Sequence, residues 1–198
     1  MSAVSEQLAL PSGVRSRPSH VLNLGTLLLG AAGAMVFAGL LAAYLELRGV
    51  APTWPPDKTS LDNYLGVMLL LTGVLSAVTV EWAPYSIKRG NPRQALWGLT
   101  LTLGLGLAFL NLLWYLGTQL GFGIADSGYA TLVYAAIIAT GLQVALGLGY
   151  LVVALARTAG HQVVPGDHQL VRAAAWYWQW VNASWLVVFT GLYVLQHR

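Results

Sequence analysis

The sequence predicts an all-α protein, a polytopic membrane helix bundle of five transmembrane helices. Three observations lead there. Only 9% of the 198 residues are charged, against 57% hydrophobic, whereas a soluble domain carries roughly 25% charged residues to keep its surface in water. The ten Lys+Arg and seven Asp+Glu cannot cover a sphere of this size, and disorder needs the opposite composition. The apolar residues also fall into five long runs, and at about 20 residues per crossing these use roughly half the chain. Finally, each run is continuous rather than alternating and too long for a tilted strand, which selects helices over a barrel.

The first run extends from about Leu22 to Leu45 and ends before a loop with Pro52, Trp54, Pro55 and Pro56, a string that cannot continue a helix. The second, about Leu61 to Ala83, stops near Pro84 and the basic residues Lys88, Arg89 and Arg93. The third, about Leu96 to Leu116, is closed by a Gly-rich turn from Gly117 to Gly123. The fourth covers about Tyr129 to Leu155. A polar loop with Arg157, His161, Pro165, Asp167 and His168 leads to the fifth, about Ala173 to Leu195. Residues 1–19 form a polar N-terminal segment ahead of the five-helix domain at 20–198. The segment's bases, Arg15 and Arg17, come late in it, unlike a cleavable signal, so the first span is expected to serve as its own uncleaved signal.

The basic residues set the expected orientation. Arg15, Arg17, Lys88, Arg89, Arg93, Arg157 and Arg172 fall on one side, and Arg48, Lys58 and Arg198 on the other. That seven-to-three split places the N-terminus in the cytoplasm and the C-terminus outside, for a multi-pass protein of the cell (inner) membrane. The bases are scattered between apolar runs rather than gathered on one face, which argues against nucleic acid as a partner. Trp54, Trp82, Trp97, Tyr44 and Tyr193 lie near span ends, where an interfacial aromatic belt is expected. Cysteine is absent, so disulfides and thiolate chemistry are excluded.

Small residues recur every four positions: Gly30, Ala34, Ala38 and Ala42; Gly98, Thr102 and Gly106; Gly141, Ala145 and Gly149. That spacing suits close helix packing. The four histidines, His20, His161, His168 and His197, all fall in loops or at termini, whereas haem held inside a bundle needs axial ligands projecting from the helices. This chain is therefore expected to bind no redox centre and to contain no catalytic residue. Glu81 is the one acid close to a span, and an interfacial carboxylate reaching toward headgroups or the Lys88/Arg89 cluster is the expected role. Neutral polar residues are left for the interior: Asn111, Thr140, Gln143, Gln179 and Asn182. Interhelical hydrogen bonds between such groups contribute about 0.6 kcal/mol each, which suits structural adhesion.

At the fifth span the chain reads AAAWYWQWVNASWLVVFTGLYVL, residues 173–195, which resembles the C-terminal helix of cytochrome c oxidase subunit III in the haem-copper oxidase superfamily. MVFAGLLAAY at 35–44 is similar to the first helix of the family's five-span form, and Trp54-Pro55-Pro56 to its outer loop. SAVTVEWA at 76–83 with RGNPR at 89–93 resembles the next helix and its basic turn. GLTLTLGLGLAFLNLLWY at 98–115 and TGLQVALG at 140–147 follow the third and fourth in pattern. The departures share a direction. Where the resemblance implies an intramembrane glutamate, this chain has Gly33, and a family histidine pair falls on Pro84 and Tyr85. A Gln and a Glu correspond to Asn111 and Trp114, two histidines to Thr140 and Gln143, and a His and an Asp to Gln179 and Asn182. His168 keeps a family histidine.

The resemblance implies a non-catalytic accessory subunit that packs beside catalytic subunit I and other subunits of the oxidase complex and holds phospholipid, with haem and copper in the partner chains. A proton-delivery role loses its titratable groups. Lys88, Arg89, Arg93, Arg157 and His168 are the expected contacts for membrane lipid headgroups. Ala34, Ala38, Ala42, Gly98, Thr102 and Gly106 are the expected helix-packing or subunit-interface residues. Two other readings stay open. A polar line through Asn111, Gln143 and Gln179 would border a passage in an independent channel or transporter, and an accessory subunit of a nitric oxide reductase would share the same fold.

Overall fold

The computed structural model describes residues 19–56, 59, 61–163 and 168–195. Arg15, Arg17, Lys58, Pro165, Asp167, His197 and Arg198 lie outside the described residues. Five helices follow in order: α1 Ser19–Val50, α2 Asn63–Lys88, α3 Pro92–Thr118, α4 Gly128–Ala159 and α5 Gln169–Phe189. The last runs on into a π-helical turn, Thr190–Val194. No strand occurs among the described residues. α1, α3 and α4 outrun their apolar stretches at both ends, whereas α2 begins at Asn63 but runs on past Ala83 to Lys88, and α5 begins before Ala173 but ends at Phe189. In α2 the helix passes through Pro84, a residue that membrane helices tolerate because neighbouring groups re-satisfy the freed carbonyl.

The helix ends follow from local chemistry. Asp62 caps α2 by accepting the Tyr64 N–H at 2.8 Å, and Ser127 caps α4 by accepting from Ala130 at 3.1 Å, as short polar side chains do at N-caps. Between α2 and α3 the chain reverses in three residues. Gly90 takes a φ of +74°, its N–H reaching Ile87 O at 2.9 Å while Asn91 N–H reaches Ser86 O at 3.0 Å. This paired closure favours glycine at the left-handed position. Pro92 then opens α3, where its missing N–H costs nothing.

α1 to α4 are long and apolar enough to cross a membrane. α5 is less apolar, since Arg172, Gln179 and Asn182 interrupt it, yet it sits at the middle of the assembly. It packs against α1, α2 and α4, while α3 packs between α2 and α4. Aromatic side chains of α5 and of the π-helical turn that continues it reach all four other helices, each meeting a glycine. A methyl group added at Gly30 of α1 would fall 2.7 Å from the Trp180 ring, and one at Gly66 of α2 would fall 2.5 Å from the Tyr193 ring. One at Gly106 of α3 would lie 2.5 Å from Trp178, and one at Gly147 of α4 would lie 2.9 Å from Trp178 and 3.2 Å from Tyr177. Lipid tails are as apolar as a leucine, so helices associate in a bilayer by shape and hydrogen bonding. A large flat ring laid on a bare backbone supplies that shape.

At the end of the bundle that holds the α1–α2 loop, Trp54 folds back over the helices. Its indole N–H donates to Tyr44 OH at 3.0 Å, and its ring meets Tyr44 and Tyr129 edge-on at 5.1 and 5.2 Å. The interfacial belt expected from sequence therefore needs correction. Tyr44 and Tyr193 are buried and Trp54 is half-buried, because each packs onto a neighbouring helix. Trp82 and Trp97 do face outward, and Tyr64, Trp114 and Tyr115 join them near the helix ends.

Two stability predictions follow from this packing. Gly106→Ala is expected to destabilise the bundle by about 1–3 kcal/mol, since Trp178 is only 2% exposed and cannot move aside. Gly104→Ala, with open space around it, is expected to be neutral or to stabilise by up to about 1 kcal/mol through helix propensity. Thermal or SDS unfolding of the two variants in detergent measures the difference.

Candidate functional site

The polar residues at bundle depth form three separate knots. The first joins α2 and α5. Trp178 Nε1 donates to Ser76 Oγ at 3.0 Å, and Ser76 Oγ donates to Gly73 O at 2.7 Å. Asn182 Oδ1 lies 3.4 Å from the same hydroxyl; a hydroxyl has one proton, and the shorter carbonyl contact takes it. Asn182 Nδ2 turns back to Trp178 O at 2.9 Å. Gly73 makes room for this amide, since an added methyl would stand 3.0 Å from Asn182 Oδ1.

The second knot joins α4 and α5. Gln143 Nε2 donates to Ser184 Oγ at 3.2 Å, and Tyr177 OH donates to the Gln143 carbonyl at 3.2 Å. Gly33 of α1 faces the same amide, because a methyl placed there would lie 3.1 Å from Gln143 Nε2. The structure thus brings together Gly33 and Gln143, two positions where the resemblance implied ionisable groups. Thr140 is fully buried one turn away, and neither its hydroxyl nor Gln143 Oε1 has a partner. The third knot joins α2 and α3, where Thr79 and Thr102 share a 2.9 Å hydroxyl contact. Nearer the Arg89 end, Thr26 and Tyr150 join α1 to α4 at 3.2 Å.

Gln179 belongs to none of these. Its amide donates to Ala77 O at 3.1 Å and to Glu81 Oε1 at 3.1 Å, so the exposed carboxylate meets an amide rather than the Lys88/Arg89 cluster. Asn111 is a correction: it is exposed on the outer face of α3, although its place in an apolar run suggested the interior. Leu110 and Leu112 beside it look no different in sequence, so pattern alone did not orient this face. With Asn111 outside and Gln179 turned to Glu81, no polar line runs through Asn111, Gln143 and Gln179.

The small-residue rows divide similarly. Gly98 meets α2 backbone, where an added methyl would lie 3.3 Å from Ala83 N and Thr79 O. Thr102 and Gly106 are buried on the same side. On α1, Gly30 is buried and Ala34 half-buried, whereas Ala38 and Ala42 are exposed. On α4, Ala145 and Gly149 also face outward. A four-residue repeat drifts by roughly 40° per step around a helix of 3.6 residues per turn, which carries the far end of a row off the packed face. Sequence reasoning missed Ser76, Thr79 and Ser184. Hydroxyls are too common in membrane helices to stand out before their partners are known.

The buried polar side-chain groups among the described residues are hydroxyls, indole N–H groups and one amide, with no carboxylate, amine, guanidinium or imidazole among them. No three His, Asp or Glu of the described residues gather in a way that could hold a metal ion. Arg48 lies at the Trp54 end, and most of the described basic side chains lie at the opposite end. Lys88, Arg89, Arg93 and Arg157 are exposed there, and His168 is half-buried at the head of α5. Arg89 rests over the Tyr85 ring at 4.4 Å, and Arg172 over Trp176 at 4.9 Å. Chemically, such a site can attract anions at one end and fix helices in the middle.

Replacing Ser76 by Ala leaves the Trp178 indole N–H buried without an acceptor, an expected loss of about 1–3 kcal/mol. Replacing Thr79 and Thr102 together by Val removes both partners of a bond, and less than about 1 kcal/mol is expected. Unfolding of the two variants side by side distinguishes orphaning a donor from deleting a pair.

Known proteins with this sequence pattern are consistent in kind. The profile of the cytochrome c oxidase subunit III family matches residues 14–197. Cytochrome c oxidase subunit 3 of Gallus gallus is 37% identical over 180 residues, covering 87% of this chain and 69% of that one. The Strongylocentrotus purpuratus protein of the same name is 40% identical over 159 residues, 79% of this chain and 60% of its own. That of Locusta migratoria is 34% identical over 183 residues, 88% and 69% of the two chains. Matched by one profile over nearly all its length, this polytopic helix bundle belongs to the cytochrome c oxidase subunit III family.

Proposed function

We propose that the chain is a non-catalytic accessory subunit of a respiratory haem-copper oxidase, seated beside the catalytic subunit, with haem and copper held by its partners. The observation that carries this reading is the interior chemistry. In a chain of this family, the polar groups at bundle depth are neutral amides and hydroxyls, and most of them join one helix to another. Such groups brace a neighbour but carry no electron and exchange no proton near neutral pH. The relatives' names point to an oxidase, and no observation favours a nitric oxide reductase. The channel reading has lost its polar line.

On this reading all five helices cross the inner membrane, with α5 packed against α1, α2 and α4 and the N-terminus in the cytoplasm. Gly98, Thr102 and Gly106 serve packing within the chain, so Ala34, Ala38 and Ala42 are the small residues of α1 left to meet the catalytic subunit. Lys88, Arg89, Arg93, Arg157 and His168 meet lipid headgroups at the cytoplasmic face.

Purification from native membranes in mild detergent is expected to bring down a haem-containing partner, while the isolated chain shows no haem absorbance. Bound haem in the isolated chain, or no haem protein after cross-linking in intact membranes, contradicts the proposal.

A further inference from the structure

Three buried polar atoms of α4 and α5 have no partner in the protein: Thr140 Oγ1, Gln143 Oε1 and Trp185 Nε1. Their residues are 0%, 7% and 2% exposed. A polar group buried without a hydrogen bond is costly.

The register of the two helices puts these atoms on one layer. α4 and α5 run antiparallel, since Gly147 lies against Tyr177 and Trp178 while Gln143 reaches on to Ser184. The next turn of α4, at Thr140, therefore stands level with the turn of α5 that carries Trp185. Thr140 and Gln143 are three residues apart and share a face. Trp185 follows Trp178 by seven residues, two helical turns, so it stands on the same side of α5, the side that meets Gly106 and Gly147. Its ring is held edge-on against Phe109 of α3 at 5.5 Å.

The neighbouring bonds fix what each atom can offer. Ser184 Oγ gives its one proton to Trp180 O at 2.9 Å, so the Gln143 atom that faces Ser184 at 3.2 Å has to be the amide nitrogen. Gly33 of α1 lies on the nitrogen side as well. The amide oxygen is left as an acceptor, the indole supplies a donor, and the Thr140 hydroxyl can act as either. A cation would be repelled by the indole N–H and an anion by the amide oxygen. A small neutral molecule that both donates and accepts matches all three. Water does so with three bonds, the usual number for a buried one.

We propose that one water molecule is bound at bundle depth between α4 and α5, accepting from Trp185 Nε1–H and the Thr140 hydroxyl and donating to Gln143 Oε1. It extends the α4–α5 knot by a turn toward the Trp54 end and brings no charge into the bundle. The site is built from this chain alone, so it does not rest on the oxidase assignment.

The test is a crystal structure of the full chain, grown from a lipid mesophase and resolved finely enough to show ordered waters. In the unaltered chain a single peak is expected within about 2.7–3.2 Å of all three atoms. Thr140→Ser keeps the hydroxyl and is expected to keep the peak. Thr140→Val/Trp185→Phe leaves one partner of the three, below the two to four that a buried water needs, and is expected to lose it. Where that double variant fails to fold, the unaltered chain and Thr140→Ser still decide. Absence of the peak from the unaltered chain, its loss in Thr140→Ser, or its survival in the double variant overturns the proposal. So does a dry arrangement in which Trp185 Nε1 bonds Thr140 Oγ1 directly and Thr140 bonds Gln143 Oε1. A haem partner found or missing leaves this result unaffected, so the two readings fail separately.

Discussion

The structure depends on large rings of α5 and its π-helical extension meeting bare backbone on every other helix. In water, burial of apolar area would hold such a bundle together; in a bilayer that driving force between helices is gone, and fit decides. Trp180 on Gly30, Tyr193 on Gly66, and Trp178 on Gly106 and Gly147 give one helix a seat against four. The same rings account for the lower hydropathy of α5. Its packed face carries tryptophan, tyrosine and amides that hydrogen-bond to neighbouring helices, while Leu186 and Val187 face outward.

Hydrogen bonding follows the same geometry. Trp178 cannot lie on Gly106 with its N–H unanswered, and Ser76 of α2 answers it. Gln143 reaches Ser184, and Tyr177 reaches the Gln143 carbonyl. These bonds contribute little individually, about 0.6 kcal/mol, but each fixes the rotation of one helix against another. A bundle locked this way is a rigid surface in the membrane. That suits a subunit whose contribution to its complex is position rather than chemistry. The charged side chains stay at the two ends: Lys88, Arg89, Arg93 and Arg172 emerge at one, beside outward-facing Trp82, Trp97 and Trp176, and Glu46, Arg48, Asp62 and Asp126 at the other.

Much of this was legible in the sequence. Pro52, Pro55 and Pro56 marked the first break and the basic residues Lys88, Arg89 and Arg93 the second, though α2 passes through Pro84, and the apolar runs gave the five helices. Family resemblance placed Gly33, Thr140, Gln143, Gln179 and Asn182 at positions of interest, and the structure brings Gly33 against Gln143. Orientation was less legible, for a physical reason. In a soluble helix polarity reports which face is wet, but in a membrane the lipid face and the packed face are both apolar, so Asn111, Ala38, Ala145 and Gly149 gave no sign of pointing outward. Tyr44 and Tyr193 misled because a tyrosine near a helix end looks the same whether it anchors at the interface or packs inward, as Tyr44 does against Trp54 and Tyr193 over Gly66. Ser76 carried no signal until Trp178 was found opposite it.

The central claim is that nothing at bundle depth takes up or releases a proton. Infrared difference spectra of the purified chain, recorded across neutral pH in H2O and D2O, test it most directly. The account predicts that every carboxyl band that changes with pH exchanges rapidly in D2O, since the described carboxylates, Glu46, Asp62, Glu81 and Asp126, are exposed. A titrating carboxyl band shielded from exchange would contradict it.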